Sequence, residues 1–495
     1  MVRFSQFFSR PEGWLLGLIL IGGAALRLYH LRLGMQYMGD EGRDLLIARE
    51  IIIGKNLPAV GPPTSVGNLY LGPLYFYLIT PALWLSGLDP VGPAVFIALL
   101  SVATIGLVYG LGKAMFNSFA GLAAAFLFAV SPLAVEFGRW PWNPNIMPFF
   151  TTLFAYSLWQ VLEKKKEPWI IVTGISLAGI LQSHYLGLAA LPVLVICLAI
   201  KHPKVREITY WLGAMLLFLA LMSPLLAFDL QHDFLNARGF WQIVTERTGS
   251  GVNVGSILSH SRDRLRQVTG LFTGLGERSV SNNFLLFGGL IAWLGLAKQK
   301  KQWWLLAAWL FGGVLFLGLY QGPFHVHYLE FLLSAVAIFL GAVFSLVWGQ
   351  KPKAWRWLAG AGIAVLGGVF LPQSWRIVNQ TKVPNVATTK ELVAFMGKES
   401  GGEPFNFALL AQNNYDSAYR YFFAVANLPV EFTTQTTSQL FVVCEGEERC
   451  QPEGNPKWEI ALFDAAYDGK IEKVNEWGFY NYIRVFHFKP RKVSQ

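Results

Sequence analysis

The chain has 495 residues, of which 54% are hydrophobic, 15% aromatic and only 14% charged, with a mean hydropathy of +0.42. Ordinary water-soluble globular proteins do not combine so little charge with so much apolar side chain. The formal net charge of +10 does not point to nucleic acid either, because the basic residues fall in short clusters between apolar runs, as the cytoplasmic loops of a membrane protein do.

A polytopic α-helical membrane protein is therefore expected. Apolar runs near the length of about 20 residues needed to cross a bilayer occupy residues 13–34, 92–112, 119–137, 145–162, 169–184, 186–200, 208–228, 283–297, 303–320, 328–348 and 355–371, which makes about 11 transmembrane helices. Residues 70–88 are apolar too, but carry Pro73, Pro81 and the interfacial aromatics Tyr70, Tyr75, Tyr77 and Trp84. They are expected to lie along the interface, with the spanning alternative left open. On that topology Lys113, Lys164 to Lys166, the 201–206 cluster, the 298–301 cluster and the Lys351/Lys353/Arg356 cluster share the side of Arg3 and Arg10. That side is cytoplasmic by the positive-inside rule, and the carboxyl terminus is outside.

Four exterior segments then carry polar chemistry. The loop 35–90 opens with Asp40-Glu41 at the end of the first span. On a helix starting near Gly39, Asp40 and Asp44 share a face and Arg43 lies within reach of Asp40. A capped helix start is the plain alternative, since carboxylates favour a helix amino terminus. Next comes 136–145, where Arg139 is a candidate phosphate clamp, Trp140 or Trp142 a stacking surface for a sugar, and Asn143 a neighbouring polar contact; an aromatic belt with a snorkelling arginine would look the same. The turns 182–185 and 321–328 bring His184, Tyr185, His325, His327 and Tyr328 to one membrane face, where polar groups line cavities because lipid exposure is costly. His325 and His327, with Glu41, are the candidate ligands of a divalent metal, but a two-apart histidine pair lacks a third ligand of its own. The fourth segment, 229–282, reads as a long loop of lid type, with Trp241 and the arginines Arg262, Arg264 and Arg266.

After residue 373 the composition changes, and 374–495 reads as an extracytoplasmic soluble α/β domain attached to a membrane domain 1–373. Residues 390–398 and 416–426 are expected as helices, and 405–410, 440–443, 459–463 and 483–487 as strands. Cys444 and Cys450 enclose a short polar loop and pair as a disulfide outside the cell, with two free thiols the alternative; Cys197 lies in a span and packs there.

Asp40-Glu41, Arg43, Ile47-Ala48-Arg49-Glu50, Gly72-Pro73-Leu74-Tyr75, Ser131-Pro132, Arg139 and His327-Tyr328 together resemble the GT-C membrane glycosyltransferases. The resemblance is to the family of the protein O-mannosyltransferases and the aminoarabinose transferases of lipid A. It implies transfer, with inversion, from a polyprenyl-phosphate-sugar donor to a protein, lipid or glycan acceptor. Asp40 would be the catalytic base and Glu41 its partner. Arg43, Arg139, Trp142, Asn143, His184, Tyr185, His327 and Tyr328 would contact substrate. The implied setting is the plasma or inner membrane with its lipids as partners; no cofactor follows firmly, and a divalent metal stays open. One departure stands before Pro73, where lipid A transferases carry Glu-Lys and this chain has Leu71-Gly72. Arg139, His184 or His327 would then supply the missing phosphate contact. A secondary transporter and a non-catalytic scaffold presenting the soluble domain are the competing classes.

Overall fold

The computed structural model describes residues 10–64, 69–201, 208–248, 253–276, 303–320, 322, 324–432, 435–446 and 450–491. The expected span 283–297, Arg3, Lys204, Arg206 and the 298–301 basic cluster lie outside the described residues. The chain divides into two compact units, one formed by Met1–Leu31, Leu57–Ala82 and Pro93–Gln380, the other by Arg32–Asn56, Leu83–Gly92 and Thr381–Gln495. The Asp40 segment thus groups with the carboxyl-terminal residues, whereas sequence placed it in the membrane domain.

The first unit is helical. Among the described residues five helices are long and apolar enough to cross a membrane: Pro11–Leu28, Val91–Met115, Ile208–Gln231, Val326–Trp348 and Ala354–Asn379. The other apolar runs form shorter helices, such as Ser118–Val130, Met147–Leu162 and Trp169–Ser183. Proline is one reason: the expected span 119–137 breaks at Ser131, where Pro132 starts a second, six-residue helix. Helix Leu74–Leu85 has 12 residues, about 18 Å at 1.5 Å per residue, well short of a bilayer core.

Small residues set the helix contacts, as expected where lipid is as apolar as leucine and close approach must supply the attraction. A Cβ on Gly341 would meet the backbone nitrogen of Ala124 at 2.8 Å, and one on Gly121 the backbone oxygen of Tyr109 at 2.7 Å. Two pairs of polar side chains inside this unit bond each other: Ser157 with Thr173 at 2.8 Å and Thr152 with Ser334 at 2.6 Å.

Arg27, fully buried in the first helix, repairs the proline break. Pro132 has no N–H for the carbonyl of Phe128 four residues back. Arg27 Nη2 donates to that carbonyl and to Ala134 at 3.3 Å each, Nη1 to Ala129 at 2.9 Å and Gly23 at 3.1 Å, and Nε to Ser101 Oγ at 2.7 Å. Ser374 Oγ donates to the carbonyl of Val130 at the break, and Ser131 Oγ donates to the Phe272 carbonyl of another helix.

The second unit contains a five-stranded sheet of order β2-β1-β3-β5-β4, made of β1 (Phe405–Ala411), β2 (Val430–Glu431), β3 (Leu440–Glu445), β4 (Ile471–Phe479) and β5 (Ile483–Pro490). β1 runs parallel to β2 and β3, while β5 is antiparallel to both β3 and β4. Cys444 and Cys450 form a disulfide beside this core, and Cys197 of the first unit is a buried free thiol. Residues 459–463 are a helix (Trp458–Ala466), not a strand, because Ile460 and Phe463, one turn apart, are its buried residues. Segment 229–282 is not a loop but contains two helices, Leu235–Thr248 and Val254–Thr273.

Helix Gly39–Ile52 belongs to this unit and packs on helix Ser417–Val425. Tyr37 donates its hydroxyl to the carbonyl of Ala418 at 3.1 Å and lays its ring 5.5 Å from that of Phe422. Gly42 makes the approach possible, since a Cβ there would run into the backbone of Ser417 and Ala418. Gly42→Val is expected to lower the melting temperature and expose 32–56 to protease, at a cost of about 1–3 kcal/mol for forced overpacking. Limited proteolysis with an unchanged cleavage pattern would contradict this packing.

Candidate functional site

The first cluster is built on the amino-terminal turn of helix Gly39–Ile52. Glu41 is buried and closes a capping box, accepting from Met38 N at 2.7 Å. That is the helix-start role left open by sequence, and it engages Oε2 of Glu41. Asp40 points outward with its side chain 44% exposed. Its Oδ1 accepts from Arg43 Nη1 at 2.9 Å and from the Tyr415 hydroxyl. Arg43 also grips Asp44 Oδ1 through Nε (2.9 Å) and Nη2 (2.7 Å), and lies 3.3 Å from Tyr415 Oη. Arg43 is thus engaged by two carboxylates.

Burial works against charge on Arg43, but Asp44, Asp40 and Tyr415 outweigh it and hold the guanidinium firmly protonated. Asp44, with its side chain 1% exposed and Oδ2 unpartnered, is pushed by burial up to about 7 against the pull of Arg43. Burial and the bond to Asp40 likewise raise Tyr415, keeping it a phenol that donates. Asn414 ties the turn to the sheet: its Oδ1 accepts from Gly39 N at 2.8 Å and its Nδ2 donates to Glu445 Oε2 at 2.8 Å, while Tyr419 donates to Glu445 Oε1 at 2.5 Å.

The second cluster lies in the first unit, where three of the turns singled out by sequence converge. Trp140 and Trp142 stack at 4.4 Å between ring centroids, and Trp142 meets His327 edge-on at 4.5 Å. His184 lies 5.3 Å from His327 and 4.6 Å from Tyr328, and His325 stacks on His327 at 5.7 Å. His184 Nδ1 accepts from Leu186 N at 3.1 Å, which leaves the proton of the neutral ring on Nε2. Asn143 is turned inward, donating to the Ser183 carbonyl at 2.9 Å, and Tyr185 donates to the Tyr70 carbonyl at 2.5 Å. Both therefore hold the turns together.

Arg139 is 2% exposed. Its Nη2 donates to the Tyr29 carbonyl at 2.8 Å, whereas Nε and Nη1 are buried with no hydrogen-bond partner. Burial lowers its pKa to about 10 despite nearby Glu136. Two donors are thus available to an acceptor that reaches them. A cation that sequence did not single out from its neighbours is Arg264, 8% exposed and 3.5 Å above the ring of Phe324, itself 5.1 Å from Tyr328. Arg262 of the same helix faces solvent. Glu330, one 3-10 turn beyond His327, is fully buried with neither carboxylate oxygen partnered. Among the described residues no group of three or more His, Cys, Asp or Glu side chains is placed to hold a metal ion, so His325 and His327 gain no third ligand there.

Residues 71–228 match the family model described as dolichyl-phosphate-mannose-protein mannosyltransferase. No curated protein matches the chain by sequence. Among solved structures, ArnT from Cupriavidus metallidurans bound to undecaprenyl phosphate is similar at 14% identity, with a TM-score of 0.56 over 97% of this chain and 98% of that one. The Archaeoglobus fulgidus oligosaccharyltransferase in complex with Zn and sulfate is similar at 15% identity, with a TM-score of 0.56 over 91% of this chain and 70% of that one. The same archaeal enzyme with an inhibitory peptide and a dolichol-phosphate matches at 14% identity and a TM-score of 0.51, over 89% of this chain and 70% of that one. The expected resemblance holds: the chain has the fold expected of the GT-C membrane glycosyltransferases, shared with ArnT and the archaeal oligosaccharyltransferase.

Proposed function

We propose that the chain transfers a sugar from a polyprenyl-phosphate-linked donor to an acceptor at the outer membrane face, with inversion and with Asp40 as general base. The observation that carries this reading is the arrangement of Asp40: a half-exposed carboxylate gripped through Oδ1 by Arg43 and Tyr415, while Oδ2 accepts no hydrogen bond among the described residues. The acceptor hydroxyl must lose its proton as it attacks the anomeric carbon, and a fixed carboxylate with one open oxygen meets that need. The departing lipid phosphate gains negative charge, which cations and fixed N–H donors stabilise. Arg139, Arg264 and His184 Nε2 are the groups proposed for that task, and Trp142, His327 and Tyr328 for the sugar ring.

The fold is shared with a structure that holds undecaprenyl phosphate and with one that holds a dolichol-phosphate and a peptide, which supports a lipid-linked donor here. The proposed orientation keeps the amino terminus cytoplasmic and residues 374–495 outside, following the basic clusters. A metal-dependent step is not part of the proposal.

The test is a panel of radiolabelled polyprenyl-phosphate sugars offered to membranes that contain the protein. Transfer of label from at least one donor to a hydroxyl-bearing acceptor supports the reading, and label that stays on the lipid for every donor refutes it. With an active donor, Arg264→Leu is expected to raise the donor KM about tenfold, the scale of one charge-assisted contact to phosphate. Unchanged donor saturation curves would remove Arg264 from the site.

A further inference from the structure

We infer that Tyr415, contributed by the carboxyl-terminal sequence, is the positioning residue of the base, fixing which oxygen of Asp40 accepts the proton. The inference rests on the proposed role of Asp40 and extends it to a residue 375 positions away.

Tyr415 stands in the turn that follows the carboxyl end of β1 and precedes helix Ser417–Val425. The neighbouring Asn414 fixes this turn, accepting from both Gly39 N and Tyr415 N at 2.8 Å and donating to Glu445 at the end of β3. The Tyr415 ring packs over Gly39, where any Cβ would collide with it, and its hydroxyl donates to Asp40 Oδ1. Arg43 donates to the same oxygen and also approaches the Tyr415 hydroxyl. With two donors on Oδ1, the carboxylate cannot rotate to exchange its oxygens without breaking both bonds. Proton acceptance therefore falls on Oδ2. Around this pair, Arg43 and Asp44 share the helix of Asp40. From the opposite side, Glu445 acts through Asn414, and Asp416 and Arg420 pair with each other at 2.6 Å. Among the described residues, Tyr415 is the only group outside helix Gly39–Ile52 with a hydrogen bond to Asp40.

In the proton transfer, the acceptor O–H bond breaks as its oxygen bonds to the anomeric carbon. The proton moves to Asp40 Oδ2, and the electron pair of the sugar–phosphate bond leaves with the lipid phosphate. Tyr415 keeps its own proton throughout.

The experiment compares wild type, Tyr415→Phe, Tyr415→Ala and Asp40→Asn as full-length protein in membranes, using a labelled polyprenyl-phosphate sugar that wild type accepts. Tyr415→Phe keeps the ring over Gly39 and removes only the donor. It is expected to lower kcat about tenfold, the scale of one hydrogen bond to a charged group, with donor KM and melting temperature unchanged; Tyr415→Ala should lose stability as well. A wild-type kcat in Tyr415→Phe while Asp40→Asn is inactive overturns this inference alone. So does a raised KM at unchanged kcat, or a drop in melting temperature that accounts for the whole loss. Full transfer by Asp40→Asn, or no transfer by wild type from any donor, overturns the proposed function and this inference with it.

Discussion

Asp40→Asn is expected to abolish transfer, lowering kcat by a factor on the order of 10² to 10⁴, the usual contribution of a general base. Asparagine has nearly the shape of aspartate, and its amide oxygen still accepts from Arg43 and Tyr415 in place of Oδ1. What it lacks is a second oxygen able to take a proton. The loss should therefore appear in kcat with donor KM little changed, since no binding contact is removed. The side chain is 44% exposed, so folding should be unaffected, and a melting curve that overlays wild type is part of the expected result. Initial rates at matched expression decide the matter. A variant that retains wild-type turnover would mean that the exposed carboxylate is only a helix-start charge, the alternative that sequence alone leaves open.

Arg27→Leu is expected to give the largest loss of stability. Leucine fills much of the volume but removes the side-chain donor from the carbonyls of Phe128 and Ala129 and from the hydroxyl of Ser101, while Ala134 keeps the backbone N–H of Gly138. Each buried unsatisfied group costs about 1–3 kcal/mol, and water is not at hand inside a membrane to replace the missing bonds. A net loss of about 4 kcal/mol is expected after relaxation, at the upper end for single substitutions. Arg27→Lys should recover only part of it, because one ammonium group cannot reach all the acceptors that a guanidinium spans. Thermal inactivation of the detergent-solubilised protein measures this directly, and a melting temperature within a degree of wild type would contradict the assigned role of Arg27 at the Ser131-Pro132 break.

Legibility in the sequence followed the range of the interactions. Asp40-Glu41 stood out because two carboxylates end an apolar span, and the turns bearing Trp142, His184 and His327 because polar and aromatic residues interrupt apolar runs. Tyr415 carries no such signal, since its partner lies 375 residues away and its neighbours read as an ordinary turn. Helix Val254–Thr273 escaped because Ser261 and Arg264 interrupt its apolar face between Leu258 and Leu265, and its many polar residues, with three arginines, read as an exposed segment. Strand β4 escaped for the opposite reason: most of it is exposed, with Lys473 and Glu476 paired at 2.8 Å on the sheet edge, so no alternation of apolar residues marks it. The segment 459–463 misled because the short apolar run Ile460 to Phe463 fits either period, and only the burial of Ile460 and Phe463 together distinguishes helix from strand.

Grouping of the Asp40 helix with residues 381–495 gives the carboxyl-terminal sheet a physical task. Asn414, Tyr419 and Glu445 form a hydrogen-bonded chain from the end of β3 to the first turn of that helix. A base on a rigid element holds its geometry better than one on a free loop.

The most direct measurement is proton and carbon NMR of a vesicle reaction, using a polyprenyl phosphate that carries a ¹³C-labelled sugar of known anomeric configuration. The expected result is a labelled anomeric signal that leaves the lipid phosphate and reappears on the acceptor with the opposite configuration, in wild type but not in Asp40→Asn. A product with retained configuration, or a signal that never leaves the phosphate, would contradict inverting transfer by a carboxylate base.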